Sequence, residues 1–501
     1  MKRLITPSQM RAMEQRYFAE TGTASIDLME VAASALCAAI TRRYGTGRTV
    51  YFACGPGGNG GDGYACARLY ARGGGRCAVL PGAPAKTPDA IENRRRALEM
   101  GIPELEMSAG EHPDLWVDAL YGTGLSRAPE GAAAALIERM NADRAAGSRV
   151  IAADIPSGLN GRTGAAFSPC VCADATVTFQ FAKTGHFLAD GLDVCGEIEV
   201  ADIGIPAAFF PEDLPRLMET GDALAALPEK RRNAHKGTNG HLLIVAGSLG
   251  MAGAAAICAQ AALRSGAGLV TLAAPASIVP ILQTLAPCAM CVPLPEANGA
   301  MSDEAGEVVA ALLPGKSAAV CGCGLSMRAS AAVVRRLLGS GLPTLFDADA
   351  LNLIAADPSL RALLAPHHLI TPHPGEAARL LGRRVTDPMA DAFALRELGC
   401  QVLLKGATTV IPVGNAAVLS ASGGCGMAKG GSGDALAGLA GGLMAQYAAG
   451  GTPLSGEALA RCAAVASELH GRAGELAQAE VGPRGMTVQD LVAALPRALM
   501  P

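Results

Sequence analysis

The stretch Tyr51–Tyr70, YFACGPGGNGGDGYACARLY, places six glycines among the nine residues 55–63. It follows an apolar run typical of a buried strand and leads into a segment with helical periodicity. Backbone without side chains at such a turn lets N–H groups approach a phosphate or a dinucleotide at a helix N-terminus. The alternative interpretation is a tight turn without a ligand. The stretch predicts a strand–turn–helix unit of an α/β fold.

Similar units occur on both sides of this stretch. Strand-like runs alternate with helical periodicity over residues 48–181, which predicts a mostly parallel sheet with helices on both faces. The alternation breaks within residues 206–238, where prolines and charged residues cluster, and restarts at the run GHLLIVAGS. We therefore predict two different αβα domains, residues 1–218 and residues 219–501.

Composition narrows the class of protein. Half of the 501 residues are apolar, 17% are charged, and the formal net charge is −4, which argues against general binding to nucleic acid or to a membrane surface. The N-terminus does not resemble a secretory signal, and no run has the length needed to span a bilayer. Fifteen scattered cysteines fit reduced thiols better than a disulfide framework. These features predict a cytoplasmic α/β protein.

Polar side chains follow three predicted strands of the first domain. Asn59 and Asp62 follow the first, Asp118 ends the second, and Asp154 with Ser157 follows the third. Ligands of open parallel sheets bind at the carboxyl ends of the strands, so these side chains are expected to converge. Their oxygens suit a hard cation or acid–base chemistry. For any single Asp, capping of a helix is the alternative.

Four motifs of this half resemble the NAD(P)H-hydrate epimerase (YjeF N-terminal) family. GPGGNGGDG, DALYGTGLSR, DIPSGLNG and TFQFAKTGH occur in the family's order within about residues 1–215. The resemblance implies a Rossmann-like fold that interconverts the R and S epimers of hydrated NADH and NADPH (NADHX and NADPHX). It also implies a potassium ion bound by Asn59, Asp118 and Ser157.

The resemblance assigns further roles in this domain. Asp154 is the candidate acid–base residue, and Lys183 is either its helper or a structural anchor. Gly58 stands where the family usually has an asparagine, which predicts a weaker contact there without loss of activity. Substrate contacts are implied for Gly58, Asn59, Gly60, Gly61, Asp62, Gly122, Thr123, Gly124, Leu125, Ser126, Arg127, Ala128 and Asp154.

The stretch from Gly423, GGCGMAKGGSGDALAGLAGG, carries the chemistry of the second half. Its glycines open a helix whose N-terminal amides can stabilise charge on a phosphoryl group, and Asp434 in the first turn can take a proton from a hydroxyl. An Asp that only balances the helix dipole is the alternative. Lys405–Thr409 follows a strand and offers an ammonium and hydroxyls to phosphates. His373, between two prolines, is predicted to face a ligand.

This half resembles the ADP/ATP-dependent NAD(P)H-hydrate dehydratase (YjeF C-terminal) family, whose fold is ribokinase-like. The motifs HKGTNGHLLIVAGSLGMAGAA, CGCGLS, DADAL, TPHPGE, LLKGATT and GMAKGGSGD span about residues 230–440. In that family the hydrate's hydroxyl is phosphorylated by a nucleotide and then expelled, which restores NADH or NADPH. The resemblance implies ADP as co-substrate, giving AMP and phosphate, with ATP left open and magnesium expected.

Residue roles follow from the resemblance here too. Asp434 is the candidate base. Contacts to the hydrate are implied for Ala254, Gly324, His373 and Asp434, and contacts to the nucleotide for Lys405, Gly406, Ala407, Thr408, Thr409 and Gly433. Cys323 and Lys429 depart from the family's usual residues, which predicts altered affinity without a change of reaction.

Two other functions stay open at this point. A ribokinase-like small-molecule kinase fused to a dinucleotide-binding domain would use the same glycine turn and aspartate, but would release a stable phosphorylated product. A non-catalytic dinucleotide sensor would bind without turnover. The expected partners are small molecules and further copies of the chain in a homo-oligomer.

Overall fold

The structure, a computed structural model, describes residues 1–106 and 112–500. The chain divides into two compact units. We call Arg3–Pro215 the N-terminal unit, and Arg216–Pro501 with Met1–Lys2 the C-terminal unit. Each unit is built around its own parallel sheet, so the predicted α/β fold class is confirmed.

The sheet of the N-terminal unit has six strands, and all neighbouring strands run parallel. Its strands are in spatial order Arg76–Pro81, Thr49–Cys54, Leu115–Ala119, Arg149–Ala153, Ala175–Phe179 and Glu197–Ala201. A short strand that the sequence did not predict, Lys2–Ile5, pairs in parallel with Ala182–Lys183.

The helices of this unit cover both faces of the sheet through two hydrophobic clusters. They are Pro7–Thr21, Ser25–Tyr44, Gly58–Arg72, Pro88–Glu99, Gly131–Ala145 and Gly191–Val194. The first begins at Pro7, because the Thr6 hydroxyl accepts a hydrogen bond from the Gln9 backbone N–H and the Gln9 side chain accepts one from the Thr6 N–H.

The sheet of the C-terminal unit has seven strands, again all parallel. In spatial order they are Met290–Leu294, Leu269–Pro275, His241–Val245, Ala318–Cys321, Thr344–Phe346, His368–Ile370 and Gln401–Val402. The run CQVLLKGATTVIPV, predicted as one strand, is two: Lys405 lies in the turn before Thr409–Val413. That strand pairs antiparallel with Ala416–Ser420, which pairs parallel with Arg216–Leu217. A separate antiparallel pair joins Glu296–Ala297 to Ala300–Met301.

Helices surround this second sheet. They are Thr220–Ala225, Ala252–Arg264, Val279–Leu285, Ala305–Leu312, Ala331–Leu338, Asp349–Ala356, Pro358–Arg361, Pro374–Leu381, Pro388–Arg396, Ser432–Ala449, Glu457–Val481 and Val488–Ala498. Ser432–Ala449 packs closely on Ala252–Arg264 because Gly438 leaves no room for a side chain: a Cβ there would lie 2.1 Å from the Cys258 carbonyl oxygen.

In both sheets the strand order changes direction at one strand. Thr49–Cys54 in the N-terminal unit and His241–Val245 in the C-terminal unit each lie between the next strand in sequence and a later one. Loops diverge from the carboxyl end of such a strand and leave a crevice there. The crevices place the loop after each of these strands at the centre of a potential binding site.

Two further observations concern the chain as a whole. Within the described residues, no helix combines the length and apolar character needed to cross a bilayer. All fifteen cysteines are free thiols.

Candidate active sites

The glycine-rich stretch is mostly helix. The helix Gly58–Arg72 begins directly after Gly57, so only residues 55–57 form the turn. Gly60, Gly61 and Gly63 are needed for close packing: a Cβ on Gly60 would lie 1.9 Å from the Gly55 carbonyl oxygen. Close packing is thus a second reason for glycine at these buried positions, and the approach of their N–H groups to a ligand stays a prediction.

This close packing gives a direct test. We expect Gly60→Ala to destabilise the N-terminal unit by about 1–3 kcal/mol, because the Gly55 backbone must move. Gly58→Ala is the matched control, since a Cβ there meets no atom within 4 Å, and we expect a change within about 0.5 kcal/mol. Gly58→Asn, which restores the family's usual residue, should be tolerated equally well. Hydrogen exchange of the helix Gly58–Arg72 would measure all three.

The three proposed potassium ligands lie at the carboxyl ends of neighbouring strands. Ser157 donates from Oγ to Asp118 Oδ1 at 2.6 Å, and its backbone N–H donates to Oδ2 at 2.6 Å. Burial raises the Asp118 pKa to about 6 against these hydrogen bonds. Both polar side-chain atoms of Asn59 are buried without a hydrogen-bond partner in the part of the chain that the structure describes. Gly122 lies beside Asn59. Unpartnered amide atoms near a buried carboxylate and a hydroxyl fit an oxygen-bound cation.

Asp154 forms a buried ion pair with Lys183. The Lys183 ammonium, 1% exposed, donates to Asp154 Oδ1, to Thr178 Oγ1 at 2.9 Å and to the Phe179 carbonyl at 3.0 Å. Burial acts to raise the Asp154 pKa, but the Lys183 charge and hydrogen bond bring it below the ordinary value. Asp154 also adopts a left-handed backbone with φ of 64°, which is strained for a residue with a side chain. The ion pair with Lys183 therefore holds the Asp154 carboxylate at the carboxyl edge of the sheet.

A cleft of about 720 Å³ lies in front of this carboxylate. It is lined by Asp154 and by most of the predicted substrate-contact residues, namely Gly58, Asn59, Asp62, Gly122, Thr123, Gly124, Leu125, Ser126 and Arg127. Gly60, Gly61 and Ala128 are not part of the lining. Burial raises the Asp62 pKa well above its ordinary value, and the nearby Asp154 adds to the effect. Glu14 also lines the cleft, and no motif of the sequence pointed to it.

In the C-terminal unit, Asp434 lies in the first turn of the helix Ser432–Ala449, as predicted. The helix begins after Gly431, whose φ of 95° favours glycine. The first N–H groups of a helix have no acceptor within it, so a helix start of this kind can donate hydrogen bonds to an anion. Burial raises the Asp434 pKa to about 6, and the charge of Asp347 adds to it. A carboxylate with this pKa is suited to accept a proton near neutral pH.

Beside Asp434 lies a charged cluster in which Lys405, predicted to contact the nucleotide, meets two carboxylates to which the sequence analysis gave no role. The Lys405 ammonium contacts Asp347 Oδ1 at 2.6 Å and lies 3.9 Å from Glu376 Oε2. A Cβ on Gly433 would be 3.4 Å from Lys405 Nζ and 3.6 Å from Asp347 Oδ2, so the cluster adjoins the helix N-terminus. Desolvation acts to lower the Lys405 pKa, but the two carboxylates raise it overall. The position of Asp347 directly after a strand was a signal that could have identified it.

The turn Gly322–Cys323–Gly324 lies at the carboxyl end of the central strands. Gly322, with φ of 130°, packs on the Asp347 carbonyl: a Cβ would be 1.8 Å away. A hydrogen bond with the Cys323 thiol lowers the Asp434 pKa against the effect of burial. Ala254 adjoins Gly324. The structure thus brings together Asp434, Gly324 and Ala254, as predicted for one site.

His373 has a helical role that the sequence interpretation missed. Its Nδ1 accepts the Gly375 N–H at 2.9 Å, and it caps the helix Pro374–Leu381. His373 therefore has a role in the helix as well, and since half of its side chain is exposed, its contact with a ligand stays a prediction.

The other predicted nucleotide contacts differ in exposure. In Lys405–Thr409, Gly406 and Ala407 are exposed, whereas Thr408 and Thr409 are buried. Lys429 donates its ammonium to the carbonyls of Arg484 and Met486. These hydrogen bonds direct the Lys429 ammonium toward the backbone of its own unit, and its effect on nucleotide affinity stays a prediction.

Two parallel α/β units, each with an aspartate of shifted pKa near the carboxyl edge of its sheet, fit a two-domain enzyme. Residues 25–185 match the family profile of the YjeF-related protein N-terminus, and residues 242–497 match that of NAD(P)H-hydrate dehydratase. The chain belongs to the family of bifunctional NAD(P)H-hydrate repair enzymes.

Two curated relatives agree with this assignment. The bifunctional NAD(P)H-hydrate repair enzyme Nnr of Moorella thermoacetica is 36% identical, over 99% of this chain and 96% of its own. That of Coxiella burnetii is 35% identical, over 96% of each chain. A solved structure, the ADP/ATP-dependent NAD(P)H-hydrate dehydratase of Bacillus subtilis co-crystallised with ATP and Mg²⁺, is 26% identical with a TM-score of 0.46, covering 57% of this chain and 98% of that one.

Proposed function

We propose that this chain repairs hydrated NADH and NADPH in two reactions. The N-terminal unit epimerises the R and S hydrates, and the C-terminal unit dehydrates the S hydrate with ADP, giving AMP and phosphate. The observation that carries the proposal is Asp434: a carboxylate with a pKa of about 6 in the first turn of a glycine-opened helix, beside the Lys405 ammonium.

The dehydration follows from this geometry. Asp434 takes the proton of the ring hydroxyl, whose oxygen attacks the terminal phosphorus of ADP, and the bond from that phosphorus to AMP breaks. The amides after Gly431 and the Lys405 ammonium stabilise the negative charge on the phosphoryl oxygens. Phosphate then leaves with the C–O bonding electrons, the ring nitrogen supplies its lone pair, and loss of a proton from the adjacent carbon restores the reduced ring.

In the N-terminal unit, Lys183 holds Asp154 ionised before the reaction, and the Asp154 carboxylate then takes a proton during epimerisation of the hydrate. Asn59, Asp118 and Ser157 would hold the potassium ion, because Asn59 has unpartnered polar atoms and Asp118 is a buried carboxylate. A bound potassium ion supplies positive charge that offsets the buried carboxylate. The remaining predicted contacts around the cleft would bind the dinucleotide.

Further parts of the proposal rest on the family resemblance. The domains are residues 1–218 and 219–501, and the nucleotide contacts are Lys405–Thr409 and Gly433, with Ala254, Gly324 and His373 on the hydrate. Magnesium would accompany the nucleotide phosphates, and we assign no side chain to it, since Asp347 is already paired with Lys405. The protein would act in the cytoplasm as a homo-oligomer.

The test uses the full chain with a mixture of R and S NADH hydrate. With ADP, we expect complete recovery of the reduced-nicotinamide absorbance, with one AMP and one phosphate for each molecule recovered. Recovery of only the S fraction would contradict the epimerase half. Accumulation of a stable phosphorylated hydrate without recovery would identify a kinase, and binding without turnover would identify a sensor. Repeating the assay with ATP and with NADPH hydrate ranks the substrates.

A further inference from the structure

Glu14 is a carboxyl group in the cleft of the N-terminal unit that no assignment above uses. It lies on the helix Pro7–Thr21 and lines the same cleft as Asp154 and Lys183. Its side chain makes no hydrogen bond or ion pair within residues 1–106 and 112–500. The other glutamate of the helix, Glu20, is exposed and pairs with Arg16. Glu14 is therefore placed to contact a molecule in the cleft rather than to stabilise the helix.

Burial of Glu14 favours a protonated carboxyl. Burial raises its pKa to about 7. The Lys183 and Arg11 charges act to lower this pKa, and the Asp154 charge acts to raise it. Asp154 in the same cleft has a pKa below its ordinary value. The charged residues that line the cleft with Glu14 are Arg11, Asp62, Asp89, Arg127, Asp154 and Lys183. Two carboxyl groups with such different proton affinities define an acid and a base.

The chemistry of epimerisation needs both an acid and a base. Water adds to an enamine so that the hydroxyl is attached to the carbon beside nitrogen, and inversion at that carbon requires the C–O bond to break and form again. The hydroxyl leaves as water only if an acid protonates it. Water returning to the other face must lose a proton to a base.

Building on the proposed epimerase function, we propose that Glu14 is the second catalytic acid–base residue of the N-terminal unit, exchanging a proton with the ring hydroxyl in concert with Asp154. Glu14 gives its proton to the hydroxyl, the C–O electrons leave with the water, and the ring nitrogen forms a C=N bond. Water then adds to the opposite face, the C=N electrons return to nitrogen, and the released proton goes to Asp154. The reverse reaction exchanges the roles, so one proton is shared by the pair throughout.

The experiment compares purified R and S NADH hydrates with the full chain and ADP. Recovery from the R hydrate requires epimerisation, whereas recovery from the S hydrate does not. We expect Glu14→Gln to slow recovery from the R hydrate at least about 100-fold, mainly in kcat, and to leave the S rate unchanged. Glu20→Gln is the matched control on the same helix and should change neither. Glu14→Asp should restore part of the R rate.

The pH profile supplies a second measurement. For the parent chain, the rate of recovery from the R hydrate should fall as pH rises above about 7, because Glu14 then loses the proton that it shares with Asp154. This fall should be absent in Glu14→Gln. An R rate of Glu14→Gln within threefold of the parent, or a parent profile flat from pH 6 to 9, overturns the proposal. If Glu14→Gln does not fold, the parent profile and Glu14→Asp decide. A parent chain that leaves the R hydrate unconverted refutes the epimerase function itself, a separate outcome.

Discussion

Asp434→Asn is expected to lower ADP-dependent recovery from S NADH hydrate at least about 100-fold, because an amide cannot take the hydroxyl proton. The loss should appear in kcat, since the amides at the helix start still bind the phosphates. Folding should not suffer. The Asp347 charge next to Asp434 opposes ionisation of this carboxyl, and the amide removes that repulsion. Absorbance recovery with purified S hydrate and thermal denaturation measure the two effects.

The pH dependence of the dehydration rate should follow from the ionisation of Asp434. Asp434 acts as a base only when ionised, so the parent's dehydration rate should fall as pH drops through about 6. Glu480→Gln changes an exposed carboxylate of the same unit and serves as the control, with no expected change in rate. Recovery by Asp434→Asn within tenfold of the parent would exclude Asp434 as the base.

The second large effect concerns the buried ion pair of Asp154 and Lys183 in the N-terminal unit. Lys183→Met leaves Asp154 buried without its cation, and Asp154→Asn leaves Lys183 without its anion. We expect each to lower the local free energy of unfolding by about 3–5 kcal/mol and to abolish epimerisation of the R hydrate. Hydrogen exchange of the strands Arg149–Ala153 and Ala175–Phe179 reports this stability within the full chain.

The double variant separates the two roles of the pair. Asp154→Asn with Lys183→Met removes both charges, so its destabilisation should be at least about 1 kcal/mol smaller than the sum of the single changes, while epimerisation stays absent. The exposed pair Arg16–Glu20 is the control: Arg16→Met should cost less than about 1 kcal/mol. Additive losses in the double variant would show that the pair is not coupled.

The residues at strand ends were predictable for a simple reason. Parallel strands joined by helices bring their carboxyl ends to one edge, so Asp118 with Ser157 was expected to converge, and the two are hydrogen-bonded. Asp434 was expected in a first helical turn and lies there. The roles of these residues stay proposals that the experiments above address.

Other features depend on contacts between segments far apart in the chain. Glu14 lies in the middle of a helix whose sequence carries no catalytic or binding motif, and only packing brings this helix to the cleft. The pairing of Lys405 with Asp347 joins two strand ends separated by 57 intervening residues. The cap made by His373 is local, and its signal, proline after it and glutamate three residues on, was available but was interpreted as a ligand site.

By itself, the sequence determined that this protein has two parallel α/β units and which strand ends carry polar chemistry, because hydrophobic periodicity and glycine-rich turns are local properties of the chain. Only the tertiary structure decided which carboxyl groups are ionised. Proton affinity depends on burial and on charges that distant segments bring close, as Lys183 does for Asp154 and Asp347 for Asp434.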